Sequence, residues 1–565
     1  MEKTKNSPVF KPKRRDKNED LNEDADSDEP QIKFARLSDD QCDGLQLELN
    51  ATYQQKDIIK WLQTSWEKQA DAAKEENTGA QIFGEPFQIC LMPDLVLSTE
   101  TTKALVDEMV NKVRWSRKQM DLYEFYQSTD LSNMAECHLL TKFLQLLRRQ
   151  VRPWLEQVTN LKLDYVSASC SMYTCGDYLL VHDDLLKDRQ VAFIYYLTPW
   201  EGAEEWSDEQ GGCLEIFSSD NEGFPQFPVQ RKIAPKNNQF AFFKVGSRSF
   251  HQVGEVTTFD YPRLTINGWF HGATNDAIVE DSLRPFPRLN YVQPDVNKRP
   301  ALGMLLNDVY LKAATRRSIQ KRIEDNSEIC LYEFFKREKF ELARSQLLSD
   351  ETLVWQRQGP ANCHNYEVLD LSTASKTVEE LLQLFRSNSM FDLLRDFTDL
   401  DLYGADAITP TCSVELQRWS HGNYTVLGDG LISEENTLDL VYYLNAAEGA
   451  AVITYLSPEA EPRAEQINDS NEQMVGDSFN GGLDGCGDKN DDDSDVEDVA
   501  DEVDGDVEDI ETAQEDSVLL TITPVDNALN IVYRCEGTTK FTKYVSRNTP
   551  LETGPVFVIS CSYRE

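Results

Sequence analysis

Hydrophobic positions along the chain follow two different spacings. In residues 54–74, Val106–Val110 and Leu139–Leu155 they recur every three or four residues, which predicts amphipathic helices. From Tyr165 onward, short apolar runs bounded by turn residues replace this spacing. They predict strands at Tyr178–Val181, Val191–Leu197, Gln239–Val245 and Leu264–Phe270. Helices followed by many short strands are typical of a double-sheet jelly roll.

The second half shows the same succession. Residues 275–360 are richer in helix signals and in Lys and Arg. Thr377 and Glu380 have the spacing of a helix capping box. Strand-like segments then run from Val414 to Tyr563. This order predicts a second domain that resembles the first.

Local sequence supports an internal repeat. Tyr173–Tyr178 is echoed by Trp419–Tyr424, and Phe193–Leu197 is echoed by Leu440–Leu444. We therefore expect a mainly β protein with packing helices (α+β), built from two tandem double-stranded β-helix (jelly-roll) domains, the second of them degenerate.

The expected domain boundaries follow from these patterns. We expect a disordered polar tail at 1–45, the first jelly-roll domain at 46–275, a helical bridge at 276–360 and the second jelly-roll domain at 361–565. An insert at about 458–516 is so rich in Asp and Glu that it is expected to be a disordered acidic loop. It is either a solubilising loop or a contact site for a basic partner.

Composition limits the possible partners and compartments. The chain has 565 residues and a net charge of −42, which argues against direct reading of nucleic acid and suits a basic protein partner. Met1–Ser7 is polar and no apolar run approaches the ~20 residues of a membrane span, so neither secretion nor a membrane is expected. Twelve cysteines without a C-x-x-C pair indicate a reducing compartment.

The candidate chemistry lies in the first half. His182 is the only one of six histidines with an acid two residues later, Asp184, and a strand would direct both side chains to one face. With His251 from a distant strand, they form the two-histidine, one-carboxylate set that holds iron(II) and leaves positions open. An isolated H-x-D is more often a surface accident, so the pattern depends on its surroundings.

Arg263 adds support to the His182-x-Asp184 pattern. It begins an alternating, strand-like segment that ends at Phe270. An inward-facing arginine requires an anion, and a dicarboxylate would provide one through a bidentate pair. The alternative is an exposed arginine paired at the surface.

The second copy lacks this set. Gly428 stands where the first copy has His182, Gly430 where it has Asp184, and Phe541-Thr542 is the nearest match to Phe250-His251. We therefore expect no iron in the second domain, which would dock substrate or stabilise the first.

Taken together, these residues resemble a known family. The His182-x-Asp184…His251 set with Arg263, the segment Tyr178–Asp184 and the segment Ile266–Phe270 resemble the iron- and 2-oxoglutarate-dependent oxygenases of the prolyl hydroxylase branch. The duplicated architecture and the acidic insert are similar to the ribosomal prolyl 3-hydroxylases.

The resemblance implies specific roles. His182, Asp184 and His251 would bind Fe(II), and Arg263 would pair with the distal carboxylate of 2-oxoglutarate. Tyr173 and Tyr196 would hydrogen-bond this cosubstrate, although from sequence alone both are ordinary aromatics, and Leu179 would line the same pocket. O2 would be the oxidant and L-ascorbate would support turnover.

It also implies a substrate. This would be a proline in a basic small-subunit ribosomal protein near the decoding centre, so the reaction would affect translation. The same chemistry on another protein, such as a histone tail or a translation factor, and a scaffold that binds basic ribosome-associated proteins remain alternatives. The basic cluster Lys11–Lys17 could be a nuclear localisation signal, so cytoplasm and nucleus are both expected. Nothing fixes the oligomeric state, and a monomer is the simplest expectation.

Overall fold

A computed structural model describes the fold over most of the chain. The described residues are 45, 47–74, 78–186, 188–199, 205–273, 289–294, 300–402, 411–427, 435–457 and 518–564. The predicted polar tail up to residue 44, with its basic cluster Lys11–Lys17, the predicted acidic insert, Gly428 and Gly430 lie outside them. Among the described helices, none is both long and apolar enough to cross a membrane.

The helices form one group in each half. The first half contains α1 (Lys56–Lys68), α2 (Thr99–Lys112), α3 (His138–Leu146) and α4 (Arg152–Thr159), with a π-helical turn at Leu147–Val151 joining the last two. The second half contains α5 (Leu302–Leu305), α6 (Ala313–Asn326), α7 (Arg337–Ser349), α8 (Lys376–Phe385) and α9 (Asn388–Thr398). Ser375 caps α8, since its side chain accepts from the Val378 N–H, so the capping box predicted at Thr377 is wrong by two residues.

The strands of the first half are β1 (Ala72–Lys74), β2 (Ala80–Phe83), β3 (Ile89–Met92), β4 (Ser116–Gln119), β5 (Tyr123–Asp130), β6 (Tyr165–Tyr173), β7 (Tyr178–His182), β8 (Arg189–Tyr196), β9 (Leu214–Ser219), β10 (Pro225–Ile233), β11 (Gln239–Lys244), β12 (His251–Val253) and β13 (Arg263–His271). Five of them precede Tyr165, so the prediction that strands begin there is wrong. Four of the five have only three or four residues, too few for a period-2 pattern to show, and the fifth, β5, does not alternate regularly between buried and exposed positions.

The second half contains β14 (Glu328–Leu331), β15 (Trp355–Gln358), β16 (His364–Leu369), β17 (Cys412–Trp419), β18 (Tyr424–Thr425), β19 (Thr437–Leu444), β20 (Ile453–Leu456), β21 (Val518–Ile522), β22 (Leu529–Arg534), β23 (Thr539–Thr542) and β24 (Val556–Arg564). Two of these, β14 and β15, fall within the predicted helical bridge. Buried side chains of α6 and α7 also belong to the second hydrophobic core, so this segment packs as part of the second half.

The first-half strands form one antiparallel sheet that bends into two layers. Its order is β1-β2-β3-β11-β8-β13-β6-β5-β7-β12-β9-β10, and β4 pairs with β5. The central strand β8 shows why two faces are buried. Phe193 and Tyr195 join the core under the helices, whereas Ala192, Ile194 and Tyr196 face the opposite layer. The space between the layers is where a site can form.

The second half repeats this strand order. Each strand from β14 to β24 has the place of the strand eleven numbers earlier: β19 lies between β22 and β24 as β8 lies between β11 and β13, and β20 lies between β21 and β23 as β9 lies between β10 and β12. The predicted tandem jelly rolls are therefore confirmed. β23, which holds Phe541 and Thr542, has the place of β12, which begins with His251.

Candidate metal centre

An irregularity in one strand pair directs the first histidine into the space between the layers. His251 pairs with His182, but Val253 pairs with Leu179, so three residues of β7 span the same length as two of β12. This is a β-bulge, a feature that re-aims side chains and is frequent beside active sites. As a result Leu179 and His182 line the same cavity, while Leu180 and Val181 face away from it.

Asp184 reaches the cavity by a route that the sequence argument did not foresee. Strand β7 ends at His182, and Asp184 follows it with a left-handed backbone, φ +63°. Aspartate is among the few non-glycine residues that tolerate this conformation. The two side chains therefore do converge, but the predicted reason, two positions on one face of a strand, is wrong.

The three predicted metal-binding side chains come together. One ligand atom from each of His182, Asp184 and His251 lies within 4.8 Å of the other two. The Asp184 carboxylate is 3.5 Å from Nε2 of His182 and 3.4 Å from Nε2 of His251. Such distances leave room for one ion among the three.

Backbone carbonyls orient both imidazoles. Nδ1 of His182 is 2.8 Å from the Leu180 carbonyl oxygen, at the bulge, and Nδ1 of His251 is 2.7 Å from that of Ser249. When Nδ1 donates to a carbonyl, the lone pair of the neutral ring lies on Nε2. Both rings therefore present Nε2 to the position between them.

The electrostatics favour a neutral His182 and an ionised Asp184. Burial, together with the nearby His251, lowers the pKa of His182 to about 4. Burial alone would raise the pKa of Asp184, but the hydrogen bond and the charge of His251 lower it below its ordinary value. The same contact raises the pKa of His251 against the opposing effect of burial. A divalent ion would replace the proton that His251 and Asp184 otherwise hold between them.

Arg263 points into the same cavity and is 1% exposed. It is the first residue of β13 and pairs with Tyr173 of β6. Its guanidinium carbon is 5.0 Å from the Tyr173 ring centre and 5.3 Å from that of Tyr196, but its Nε and Nη2 find no acceptor among the described residues. A buried cation with unused donors fits an anionic ligand.

The two predicted cosubstrate tyrosines occupy different places. Tyr173 lines the cavity, whereas Tyr196 lies beside Arg263 and is absent from the cavity lining. Burial raises the pKa of Tyr196 to about 12, although Arg263 opposes the shift. Its hydroxyl therefore stays protonated, and it finds no hydrogen-bond acceptor among the described residues.

The cavity has a volume of about 330 Å³ and also exposes residues that the sequence argument missed. Arg189 stacks 3.5 Å over the Trp269 ring, 3.9 Å from the Asp184 carboxylate, and the Trp269 indole N–H has no acceptor among the described residues. Asn267 lines the same wall. The signal was present in the sequence, because positions 263, 265, 267 and 269 share one face of a strand.

The second jelly roll fills the corresponding space with its own side chains. Val556 begins β24 opposite Trp419, as Arg263 begins β13 opposite Tyr173. Asp439 of β19, with a fully buried carboxylate, contacts Lys540 at 2.7 Å and Arg534 at 3.3 Å and accepts from Ser562 at 2.9 Å. Among the described residues, the only metal-type cluster is that of His182, Asp184 and His251.

Comparison with known proteins assigns the family. Residues 168–271 match the 2OG-Fe(II) oxygenase superfamily, and residues 297–565 match the oxoglutarate and iron-dependent oxygenase degradation C-terminal family. Over the full length of both chains, 71% of residues are identical to a Drosophila melanogaster protein named prolyl 3-hydroxylase sudestada1. The chain belongs to the iron- and 2-oxoglutarate-dependent prolyl 3-hydroxylases. The resemblance inferred from its motifs is therefore confirmed.

The chain is also similar to more distant proteins. The Xenopus laevis prolyl 3-hydroxylase OGFOD1 is 29% identical over 84% of this chain and 88% of its own. The mouse protein of the same name is 33% identical over 56% of each chain. A solved Pseudomonas putida prolyl-4-hydroxylase is 20% identical and covers 32% of this chain and 91% of its own, with a TM-score of 0.26.

The residues present fit the metal and the cosubstrate of this family. Two imidazoles and one carboxylate are a donor set that suits Fe(II) and leaves positions open. The unused donors of Arg263 fit a carboxylate of 2-oxoglutarate.

Proposed function

We propose that this enzyme hydroxylates C3 of a proline in a basic small-subunit ribosomal protein near the decoding centre, using Fe(II), 2-oxoglutarate and O2. One observation carries the chemistry: the His182, Asp184 and His251 cluster and the unused Nε and Nη2 donors of Arg263 face one cavity. A scaffold would have no need of this arrangement. The ribosomal substrate follows from the resemblance of the whole chain to its subfamily, and its basic character suits the net charge of −42.

In this proposal the protein holds the reactants in place. His182, Asp184 and His251 would hold Fe(II), because two imidazoles and one carboxylate suit this ion and leave positions free for the cosubstrate and O2. With 2-oxoglutarate bound, the metal supplies oxidising chemistry that couples decarboxylation of the cosubstrate to succinate and CO2 with transfer of one oxygen atom of O2 to prolyl C3. L-ascorbate would support turnover by keeping the iron reduced.

The cosubstrate would lie between the metal and Arg263. The unused Nε and Nη2 of Arg263 would bind its distal carboxylate. Tyr173 would donate from the cavity wall, and the unpaired hydroxyl of Tyr196 would reach the same carboxylate past the guanidinium. Leu179 would contact its methylene groups.

The substrate would approach beside the metal cluster, where Arg189 stacks on Trp269. Arg189 and the indole N–H of Trp269 are donors beside the metal cluster, and peptide carbonyls are suitable acceptors for both. Two such hydrogen bonds would fix the prolyl ring relative to the iron. We place the enzyme in both cytoplasm and nucleus, where ribosomal proteins are made and assembled.

Mass spectrometry of the small-subunit ribosomal proteins tests this function. Cells that carry His182→Ala should lose one added oxygen at one prolyl residue. A matched control is His271→Gln, because His271 is buried on the same strand as Arg263 but contacts Asp188 and Ser167 at the far end. Unchanged hydroxylation in the His182→Ala cells would contradict the proposal.

Anaerobic titration with Fe(II) and 2-oxoglutarate tests the site without a peptide. Wild-type protein should develop the visible absorption band of a metal–2-oxoglutarate complex, and Asp184→Ala should not. No band in the wild type would favour the scaffold reading. A band without ribosomal hydroxylation would indicate a different protein substrate.

A further inference from the structure

The strand pair that carries both histidines is also the surface on which the second domain rests. Tyr178 and Leu180 of β7 are buried together with Tyr424 and Val426 of the second domain. The bulge explains this contact, because it turns Leu180 outward while His182 turns inward. One face of β7 thus contacts the metal site and the other contacts the second domain.

The strand that carries His251 is held on the same side. Phe250 and Val181 are buried together with Ala361, which belongs to the second half. The Tyr424 hydroxyl donates to the Ala361 carbonyl. Both metal-bearing strands therefore pack on one part of the second domain, around Ala361 and Tyr424.

A buried carboxylate fastens the end of this strand pair. Glu255, four residues after His251, is 8% exposed, and its carboxylate accepts hydrogen bonds from Tyr544, Ser546 and Arg547 of the second domain. The Tyr544 hydroxyl lies 3.1 Å from it, the Arg547 backbone N–H donates at 2.9 Å, and the Ser546 hydroxyl donates to the same carboxylate.

The backbone of Glu255 connects this clamp to the cosubstrate side. Its carbonyl accepts from the Gly212 N–H at 3.1 Å. A side chain at Gly211 would come within 1.8 Å of that carbonyl oxygen, and one at Gly212 would come within 3.1 Å of Cδ of Arg263. The glycine pair therefore lets one loop touch both Glu255 and Arg263.

We propose that the second domain positions the iron and 2-oxoglutarate ligands, and that Glu255 is the residue through which it acts. Apolar packing alone would hold two domains together without fixing an orientation. A buried carboxylate is stable only while its donors stay in place, so it fixes the β12 end and the Gly211-Gly212 loop relative to the second domain. Glu255 touches neither ligand and is a positioning residue. The inference rests on the proposed function.

The experiment uses the full-length chain with Glu255→Gln, which keeps the size of the side chain but removes the charge and one acceptor oxygen. Affinities for Fe(II) and 2-oxoglutarate are measured anaerobically from the absorption band. Succinate formed per hydroxylated peptide is then measured in air. We expect about tenfold weaker Fe(II) binding, the lower end of the range for groups that orient metal ligands, and more succinate than hydroxyproline.

Two further variants separate positioning from simple stability. Glu108→Gln is the matched control, since Glu108 is also buried in the first half and accepts the Leu140 N–H at 2.9 Å, but it lies on α2. Tyr544→Phe removes one donor and leaves the fold intact, and it should shift both readouts in the same direction by a smaller factor.

The outcomes are distinct. The inference is supported if Glu255→Gln and Tyr544→Phe weaken metal binding while Glu108→Gln does not. It is overturned if Glu255→Gln lowers the melting temperature yet binds Fe(II) and 2-oxoglutarate like the wild type. A wild type that gives no band would overturn the proposed function, and this inference with it.

Discussion

Arg263 is a buried cation whose Nε and Nη2 have no protein acceptor in the described part of the chain. Burying an unpaired charge costs several kcal/mol, so its surroundings are stable chiefly when an anion is bound. Tyr173 and Tyr196 offset part of this cost through their ring faces. Binding of the cosubstrate should therefore stabilise the first domain through Arg263.

Replacing this arginine tests the pairing. Arg263→Lys keeps the charge but loses the planar fork that binds a carboxylate at two points. Losing one charge-assisted hydrogen bond corresponds to about 1.5–3 kcal/mol, so KM for 2-oxoglutarate should rise roughly tenfold to a hundredfold. Steady-state kinetics at saturating peptide measures it, and an unchanged KM would contradict the assignment.

Trp269, on the same strand face as Arg263, tests the proposed contact with the peptide substrate. Trp269→Phe keeps a ring beneath Arg189 and removes the indole N–H. If that N–H binds a peptide carbonyl, KM for the peptide should rise about fivefold, corresponding to ~1 kcal/mol, while KM for 2-oxoglutarate stays the same. Equal changes in both constants would indicate a general disturbance of the cavity.

At this scale much of the site could be predicted from the sequence. His182, Asp184, His251 and Arg263 stood out because their residue types are rare in this spacing. The left-handed backbone of Asp184 could not be predicted, since a conformation that one aspartate adopts after a strand leaves no trace in a hydrophobic pattern. The packing of Tyr196 beside Arg263 could not be predicted either, because a hydrophobic pattern does not show which side chains surround a buried arginine.

At the scale of elements, the two jelly rolls differ in what occupies the space between their layers. The space between layers holds the metal cluster in the first and the buried Asp439 network in the second. Contacts with Lys540 and Arg534 hold the pKa of Asp439 below its ordinary value although burial opposes this. The network therefore stabilises the second domain in its ionised form.

The lowered pKa of Asp439 determines how the stability of the second domain depends on pH. Because the folded-state pKa is lowered, the stabilisation is complete above the unfolded pKa of about 3.9 and is lost as pH falls through the folded value. Asp439→Asn should lower the free energy of unfolding by roughly 3 kcal/mol at pH 7 and by less in acid. Denaturant titration of the wild type and Asp439→Asn at pH 7 and in acid measures the loss of unfolding free energy. An equal loss under both conditions would contradict the prediction.

The repeated order of the elements was predictable from the sequence, whereas the bulge in β7 was not. Repeated segments such as Phe193–Leu197 and Leu440–Leu444 predicted two copies of one fold, and β8 and β19 indeed have equivalent places. The bulge in β7 could not be predicted, because it is a property of two paired strands and not of either one.

For the whole molecule, the charge of −42 should govern association with a basic substrate. Opposite charges accelerate encounter, and salt screens them over about 8 Å at physiological ionic strength. KM for a basic ribosomal peptide should therefore rise severalfold between 50 and 300 mM salt, while KM for 2-oxoglutarate changes little, since its site is buried. Parallel titrations with an uncharged proline peptide provide the control.

The contacts between the two halves are the part of the structure that was least predictable from the sequence. Glu255 and Arg547 are 292 positions apart, and no periodicity relates them. The sequence predicted that the second domain lacks the metal set and would dock substrate or stabilise the first. The contacts with β7 and β12 favour the second of these roles.

The extra residue in β7 has one more consequence. Because it reverses the alternation between Leu179 and His182, the length of this strand matters as much as its composition. Deleting Leu180 or Val181 would restore regular pairing with Leu179 and His182 two residues apart, so both would still face the cavity, but it would remove one of the two apolar side chains that face away from it. A single deletion should thus keep the metal ligands facing the cavity while weakening the packing of β7 against the second half, whereas conservative apolar substitutions at the same two positions should preserve both.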